Sequence, residues 1–290
     1  MAEQALVIAN PAAGKRTAHE GDLDECVRIL RAAGFAVALS ETGAEHPTAA
    51  ELAAKARHEG YPSVIVAGGD GTVADAASEL LDSRVTLGVL PFGSFMNIAR
   101  GLRLPLAPTE AATVIAQRRV SACDVGEVNR KLFFETCGVG LDADAFGAAR
   151  LAERGRWRSA FRRIASWATR APRLVEISID GKASRHEVLQ VLVVNSPYYA
   201  WAFPVIPNAD MTDGILDVAI FPRMGRRALL RSLVEIARRG RPATPPLIAR
   251  GRVIELSSKD AMPVHADGQI AGRLPVTVRC RAGALRVYAR

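Results

Sequence analysis

The run Val64-Ile65-Val66-Ala67, followed by Gly68-Gly69-Asp70-Gly71-Thr72, constrains this chain more than any other stretch. An unbroken apolar run of that length reads as a strand buried on both faces, as in a parallel sheet covered by helices. Paired glycines then end it, and glycine admits positive φ and a close approach of backbone to a ligand. Successive backbone N–H groups in such a turn form a concave anion site, and a helix N-terminus behind it adds positive potential. The segment Ala74–Leu81 is the predicted helix. A carboxylate at Asp70, among anions, requires Mg²⁺ or a proton to be managed.

The surrounding pattern supports a parallel sheet, because strand and helix signatures alternate through the first ~125 residues. Ala5–Ala9 reads as a strand leading into the turn Asn10-Pro11-Ala12-Ala13-Gly14-Lys15. A helix from about Asp22 to Ala33 stops at Gly34, strand Phe35–Ser40 follows, and a helix over Pro47–Glu59 ends at Gly60. Leu87–Leu90 is a further strand, and it runs into Pro91-Phe92-Gly93-Ser94. In open sheets of this kind ligands sit beyond the carboxyl ends of the strands. Three turns share that edge: Asn10–Lys15, Gly68–Thr72 and Pro91–Ser94. Asn10 is placed to orient the glycine turn, with the backbone through Gly14 close to phosphate.

From about Asp124 the texture changes to short strands separated by turn residues, which predicts an antiparallel β-rich half. Candidate strands are Lys131–Cys137, Leu174–Asp180, Val188–Asn195, Leu216–Phe221, Arg252–Ser257, Pro275–Arg281 and Leu285–Ala289. The expected division is 1–124 for an α/β nucleotide-binding domain and 125–290 for a β-rich acceptor domain, with the last residues free to return to the first. The cleft between them is the expected site.

Composition narrows the partners. The 290 residues carry a net charge of +8, which calls for a solubilising Arg-rich surface or an anionic partner. The segment Arg150–Arg170 sets Trp157, Phe161 and Ile164 at helical spacing beside Arg154, Arg158 and Arg162. It reads as a docked helix with a solvated face, or as an interfacial helix meeting anionic lipid. No nucleic-acid-binding signature accompanies the charge. Cys26, Cys123, Cys137 and Cys280 are scattered without a Cys-x-x-Cys pair, so zinc and a disulfide framework are not expected. Met1 leads into the first strand without a signal-peptide pattern, and no apolar run approaches ~20 residues. The expected location is therefore cytoplasmic, with peripheral contact at the inner face of the membrane.

These landmarks together resemble the catalytic-domain family of diacylglycerol and sphingosine kinases, in its soluble bacterial lipid-kinase branch. They are Asn10-Pro11…Gly14, the glycine turn, Leu90-Pro91-Phe92-Gly93-Ser94, Gly138-Val139-Gly140-Leu141-Asp142, Asn195, Pro207-Asn208-Ala209, Asp213-Gly214-Ile215-Leu216-Asp217 and Ala266-Asp267-Gly268. The resemblance implies a three-layer α/β nucleotide-binding domain followed by an antiparallel β-sandwich, with ATP bound between them and phosphate transferred to a lipid hydroxyl. It implies that Thr42, Gly68, Gly69, Asp70, Gly71, Thr72 and Ser94 lie along the nucleotide. It also implies a Mg²⁺ held by the Asp213 carboxylate and the carbonyls of Asp210 and Ile215, oxygen donors that suit a hard cation. A homodimer is compatible with the family.

The chain departs from that family where the acceptor is handled. Asp267-Gly268-Gln269 stands where relatives have Asp-Gly-Glu, whose glutamate is commonly assigned as proton acceptor. Gln269 accepts no proton at neutral pH, which leaves Asp267 as the base or as a positioning group. Phe95-Met96-Asn97 keeps one amide of the usual pair, Ala74-Asp75 replaces Asn-Glu, and Tyr198-Tyr199-Ala200-Trp201 replaces a Gly-rich stretch. The sequence therefore predicts an ATP- and Mg²⁺-dependent lipid kinase with Asp70 and Asp267 as its catalytic acids. The alternatives are an NAD kinase-like nucleotide kinase, and a non-catalytic ATP- or lipid-binding protein.

Overall fold

The structure, a computed structural model, describes residues 3–13, 21–43, 45–140, 173–199, 203–223 and 244–289, with Ala228, Arg231 and Glu235 between the last two spans. Gly14, Leu141, Asp142, Trp201 and the Arg-rich segment 150–170 lie outside the described residues, as does nearly all of the basic stretch 226–239.

The first half is a parallel sheet of β1 (Glu3–Ala9), β2 (Phe35–Glu41), β3 (Ser63–Gly68) and β4 (Thr86–Pro91), in the order β4-β3-β1-β2. Helices α1 (Gly21–Ala32), α2 (Ala49–His58) and α3 (Asp70–Leu80) link these strands, and α4 (Asn97–Gly101) and α5 (Pro108–Ala116) follow β4. Period-two alternation gives the sheet two buried faces. Leu6, Ile8, Val64 and Val66 pack with Leu52, Ala53 and Ala56 of α2 and Val73, Ala76 and Leu80 of α3. Ala5, Val7, Ile65 and Ala67 pack on the other face with Cys26 and Leu30 of α1 and Ala112 and Ile115 of α5. Each fully buried aliphatic side chain contributes about 1.5–3 kcal/mol, so these layers are the main reason the half is ordered. At α2, Thr48 and Glu51 form a reciprocal cap, each bonding the other's backbone N–H.

Helix α3 differs from the sequence expectation in a way that matters for the site. It begins at Asp70 rather than Ala74, because Gly69 is extended (φ −89°, ψ 176°) and serves as its N-cap. Asp70, Gly71 and Thr72 therefore form the first turn of the helix, where backbone N–H groups have no intrahelical acceptor.

The second half comprises β5 (Val120–Val128), β6 (Lys131–Phe133), β7 (Thr136–Gly140), β8 (Arg173–Ile179), β9 (Lys182–Val194), β10 (Tyr198–Tyr199), β11 (Phe203–Pro204), β12 (Leu216–Pro222), β13 (Leu247–Gly251), β14 (Val253–Ser257), β15 (Pro263–Ala266), β16 (Gln269–Arg273) and β17 (Val276–Tyr288). Pairings among these strands are antiparallel, around a core that includes Phe133, Val139, Ile177, Val191, Val218, Ile254 and Val278. Two expectations are corrected here. The strand expected over Lys131–Cys137 is split into β6 and β7 at Phe134-Glu135, where the backbone turns aside to bond Asp267. The two terminal strands are one, β17, with an irregularity between Arg281 and Leu285.

Strand β17 joins the halves. Its start pairs antiparallel with β14, whereas Arg286 and Val287 pair parallel with Thr86 and Leu87 of β4. The sheet path therefore runs β16-β15-β7-β9-β8-β14-β17-β4-β3-β1-β2. The Tyr288 hydroxyl donates to Glu3 Oε1 at 2.8 Å and lies 2.7 Å from Ser63 Oγ, which pins the end of β17 to β1 and β3. Among the described residues no helix is long and apolar enough to cross a membrane.

Candidate active site

Asn10, Thr42, Gly68–Thr72 and Ser94 stand at the carboxyl ends of β1, β2, β3 and β4, along one edge of the sheet. The strand ends are registered by Asn10 N–H donating to the Ala67 carbonyl, and by Thr42 N–H donating to that of Ala9, both at 2.9 Å. Asn10 then reaches across, and its Nδ2 donates to Thr72 Oγ1 at 2.9 Å while its Oδ1 accepts from Ala12 N–H at 3.0 Å. One asparagine thus ties the turn after β1 to the first turn of α3.

Glycine is required in this edge for space. A Cβ on Gly68 would lie 2.8 Å from Thr72 Cβ. A Cβ on Gly93 would lie 2.6 Å from Gly69 Cα and 2.8 Å from Met96 Sδ. The turns after β3 and β4 are therefore pressed backbone to backbone. Gly71, by contrast, is exposed, and its Cβ would meet nothing within 4 Å. The combined edge offers the free N–H groups at the start of α3, the positive end of its dipole and the exposed Ser94 hydroxyl.

Asp70 joins this edge to an acid and amide cluster. Asp70 Oδ1 accepts from the Ile98 N–H at 3.0 Å, so the acid at the start of α3 also caps the start of α4. Asn97, on the same turn of α4, donates from Nδ2 to Glu135 Oε2 at 2.8 Å. Glu135 bulges between β6 and β7, and its backbone is clamped from both sides. Its N–H donates to Asp267 Oδ1 at 3.0 Å, while its carbonyl accepts from the N–H groups of Asn195 at 2.9 Å and Ser196 at 3.3 Å. Asp267 also accepts from Phe134 N–H at 2.7 Å and Thr136 N–H at 2.9 Å, so both its oxygens are engaged. Asp267 and Gly268 have φ of 43° and 75°, the paired positive values of a tight β15–β16 hairpin turn. The turn aims the carboxylate inward, whereas Gln269 is exposed.

Glu135 was not among the residues that the sequence singles out, although it links the two expected acids. The available signal was an acid set between Phe134 and the buried Thr136-Cys137. Its partner Asp267 is 132 positions away, and no local pattern reports such a contact.

Burial raises the Glu135 carboxyl to about 8, helped by the negative charges of Asp267 and Asp70 and opposed by the Asn97 hydrogen bond. Burial also raises Asp267, to about 6, against its three backbone donors and the charge of His265. Asp70 is raised by burial and lowered by the N–H groups of Ile98, Asn97 and Met96. These folded-state values lie above the unfolded ones, so the native state holds protons that the unfolded chain releases. Their contribution to stability is present below the ordinary carboxylate range and is lost as pH rises through about 6 and then about 8. Thermal unfolding should therefore show a Tm several degrees lower at about pH 8.5 than at about pH 5.5, with a smaller difference in Glu135→Gln.

The Asp210–Ile215 loop is tied to this cluster through Asp124 and Asn195. Asp124 accepts from the N–H groups of Gly214 at 2.6 Å and Gly283 at 2.7 Å, and its carbonyl takes Asn195 Nδ2 at 2.9 Å. Asp213 Oδ1 accepts from Ile215 N–H at 3.2 Å, and its other oxygen is ion-paired with Arg250, which also holds Asp217 at 3.0 Å. Asp210 is paired with Arg103 at 3.0 Å and bonded by Thr212. At the set that the resemblance implies for a cation, Asp213 with the carbonyls of Asp210 and Ile215, the Arg250 guanidinium supplies positive charge to the Asp213 carboxylate. Among the described residues no cluster of three or more His, Cys, Asp or Glu side chains suits a metal. Removing divalent ions with EDTA should leave the Tm of the nucleotide-free protein within about 1 °C, whereas Arg250→Ala should lower it by a few degrees.

Two family matches divide the chain much as the fold does. Residues 4–128 match the Diacylglycerol kinase catalytic domain, and residues 136–289 match the YegS C-terminal NAD kinase beta sandwich-like domain. The chain belongs to the diacylglycerol kinase catalytic-domain family. It is 26% identical over 288 residues to a diacylglycerol kinase of Bacillus subtilis (strain 168), covering 94% of this chain and 92% of that one. It is 25% identical over 283 residues to a diacylglycerol kinase of Staphylococcus carnosus (strain TM300), covering 95% and 91%. A crystal structure of a diacylglycerol kinase from Bacillus anthracis str. Sterne superposes with a TM-score of 0.77 at 23% identity, over 99% of this chain and 97% of that one, and supports the fold. The family architecture of a three-layer α/β unit followed by a β-sandwich is the one observed. As a member of this kinase family the chain is a phosphotransferase acting on a hydroxyl, with ATP as its donor.

Proposed function

We propose that this family member transfers the γ-phosphate of ATP to a lipid hydroxyl, that of diacylglycerol or a related lipid. The observation that carries the reading is the pair of glycine turns pressed together at the sheet edge, joined through Asp70 to an acid and amide cluster contributed by both halves. Phosphoryl transfer is catalysed mainly by positioning and charge neutralisation, and this arrangement supplies both.

In this reading ATP enters as its Mg²⁺ complex, and the cation supplies charge neutralisation on the phosphates. The N–H groups from Gly69 to Thr72 cradle phosphate oxygens at the positive end of α3. Asn10 keeps Thr72 in place. Thr42 and Ser94 hydrogen-bond the nucleotide. Asp70 holds α4 against α3 and presents its negative charge to the phosphate-bearing cation. Asp267 positions the acceptor side by fixing the backbone of residues 134–136. The net charge of +8 supports peripheral contact with an anionic membrane on its cytoplasmic face, where a lipid acceptor resides.

The test is ADP release from MgATP with diacylglycerol micelles, with NAD, and without acceptor. Release that depends on the lipid supports the assignment. NADP formation would move the protein to the nucleotide-kinase alternative, and tight ATP binding without turnover to the non-catalytic one.

A further inference from the structure

We propose that Glu135 is the proton acceptor in the transfer step, filling the place that Gln269 cannot. The inference rests on the kinase reading above and adds the residue that takes the proton from the acceptor hydroxyl.

The other candidates are committed elsewhere. Gln269 is a neutral amide on the exposed end of β16. Asp267 has both oxygens filled by the N–H groups of Phe134, Glu135 and Thr136, which leaves it a structural anchor. Asp70 is held by the N–H groups at the start of α4, those of Ile98, Asn97 and Met96. Glu135, in contrast, receives one hydrogen bond on its carboxylate among the described residues, from Asn97 to Oε2, and its Oε1 has none. Asn97 fixes its Oε2, and its backbone is clamped by Asp267 and by Asn195 and Ser196. Those bonds hold the side chain in one orientation without using up the carboxylate, which is the arrangement a general base needs.

A second observation points to a hydroxyl-bearing ligand at this place. The Asn97 side chain, 4% exposed, bonds Glu135 through Nδ2, while its Oδ1 has no hydrogen-bond partner among the described residues. A buried acceptor left in that state is unfavourable, and an acceptor hydroxyl or the water around it supplies the missing donor. Asn195, which clamps Glu135 from behind, is 1% exposed and has an orphan Oδ1 as well.

The step balances simply. The acceptor oxygen forms a bond to the γ-phosphorus as the bond from that phosphorus to the β,γ-bridging oxygen breaks. ADP leaves with the electron pair, and the hydroxyl proton passes to Glu135 and then to solvent. The groups facing Glu135 are Asp267 from the β15–β16 turn, Asp70 from α3 and Asn97 from α4. His265 acts on Asp267 and Arg100 on Asp70. Because burial and the two acids raise Glu135 to about 8, kcat/KM should climb with pH toward that value.

The experiment compares wild type, Glu135→Gln and Glu135→Asp in lipid-dependent ADP release across pH. Glu135→Gln should lower kcat by about 10²- to 10³-fold, leave the KM for ATP within about threefold, and abolish the rising pH limb. Glu135→Asp should restore part of the rate with the limb displaced, and it carries the test if the glutamine variant does not fold. An active wild type with Glu135→Gln retaining more than about a tenth of its rate, or retaining the limb, overturns this role alone. A wild type inert toward every acceptor overturns the kinase reading and this role with it.

Discussion

Gly93→Ala should lower kcat/KM for ATP by about 10²-fold, the scale expected when a reacting group is displaced by about 1 Å. The added Cβ would fall 2.6 Å from Gly69 Cα, a contact that only movement of one turn can relieve. Gly69 is the N-cap of α3, so the movement tilts the first-turn N–H groups away from the phosphate position. Met96, at 2.8 Å from the same Cβ, would yield first, but it has little freedom: it is buried with φ 52° and accepts the Gly93 N–H at 3.2 Å. The overpacking should also cost about 1–3 kcal/mol of stability, readable as a lower urea midpoint. Gly71→Ala is the contrasting control. Its Cβ meets no protein atom within 4 Å, and alanine favours a helix by about 1 kcal/mol over glycine, so the protein should be as stable or more so. If phosphate approaches that backbone closely, ATP affinity should still fall.

Asp70→Ala should abolish lipid-dependent ADP release, by about 10³-fold or more, and should also lower stability. Two roles converge on this carboxylate. It caps Ile98 at the start of α4, and loss of such a cap costs about 0.5–2 kcal/mol. It also presents charge at the first turn of α3, where the cation-bearing phosphates are expected. Asp70→Asn separates these roles, because an amide oxygen still accepts from the Ile98 N–H. That variant should keep its Tm within a few degrees of wild type while losing about 10²- to 10³-fold in turnover. Equal loss of Tm in both variants would assign Asp70 a purely structural role.

The donor side was legible in the sequence because its parts are local. The buried run Val64–Ala67 and the glycines after it are contiguous, and short unbroken apolar runs placed β1, β3 and β4 without knowledge of their partners. The α2 boundaries fell within two residues of expectation, since Thr48 and Glu51 form a short-range cap. Helix α4 is short and held by Asp70 from another helix, which left little periodic signal to read. The hairpin strands β15 and β16 are short, and their pattern is broken by the turn that carries Asp267. The acceptor side depends on contacts between distant segments: Asn97 to Glu135, Glu135 to Asp267, and Asn195 to both Asp124 and Phe134. Likewise, no spacing rule announces that Arg250 pairs with Asp213, because β12 and β13 bring them together across a sheet.

The most direct test of the account is to follow the phosphate itself. Wild-type protein is incubated with γ-labelled ATP, Mg²⁺ and diacylglycerol in anionic mixed micelles, and the lipid and aqueous fractions are separated. The account predicts label in a phosphorylated lipid, formed by wild type and absent with Asp70→Ala. Label confined to the aqueous fraction, with a reference kinase active in the same micelles, would contradict it.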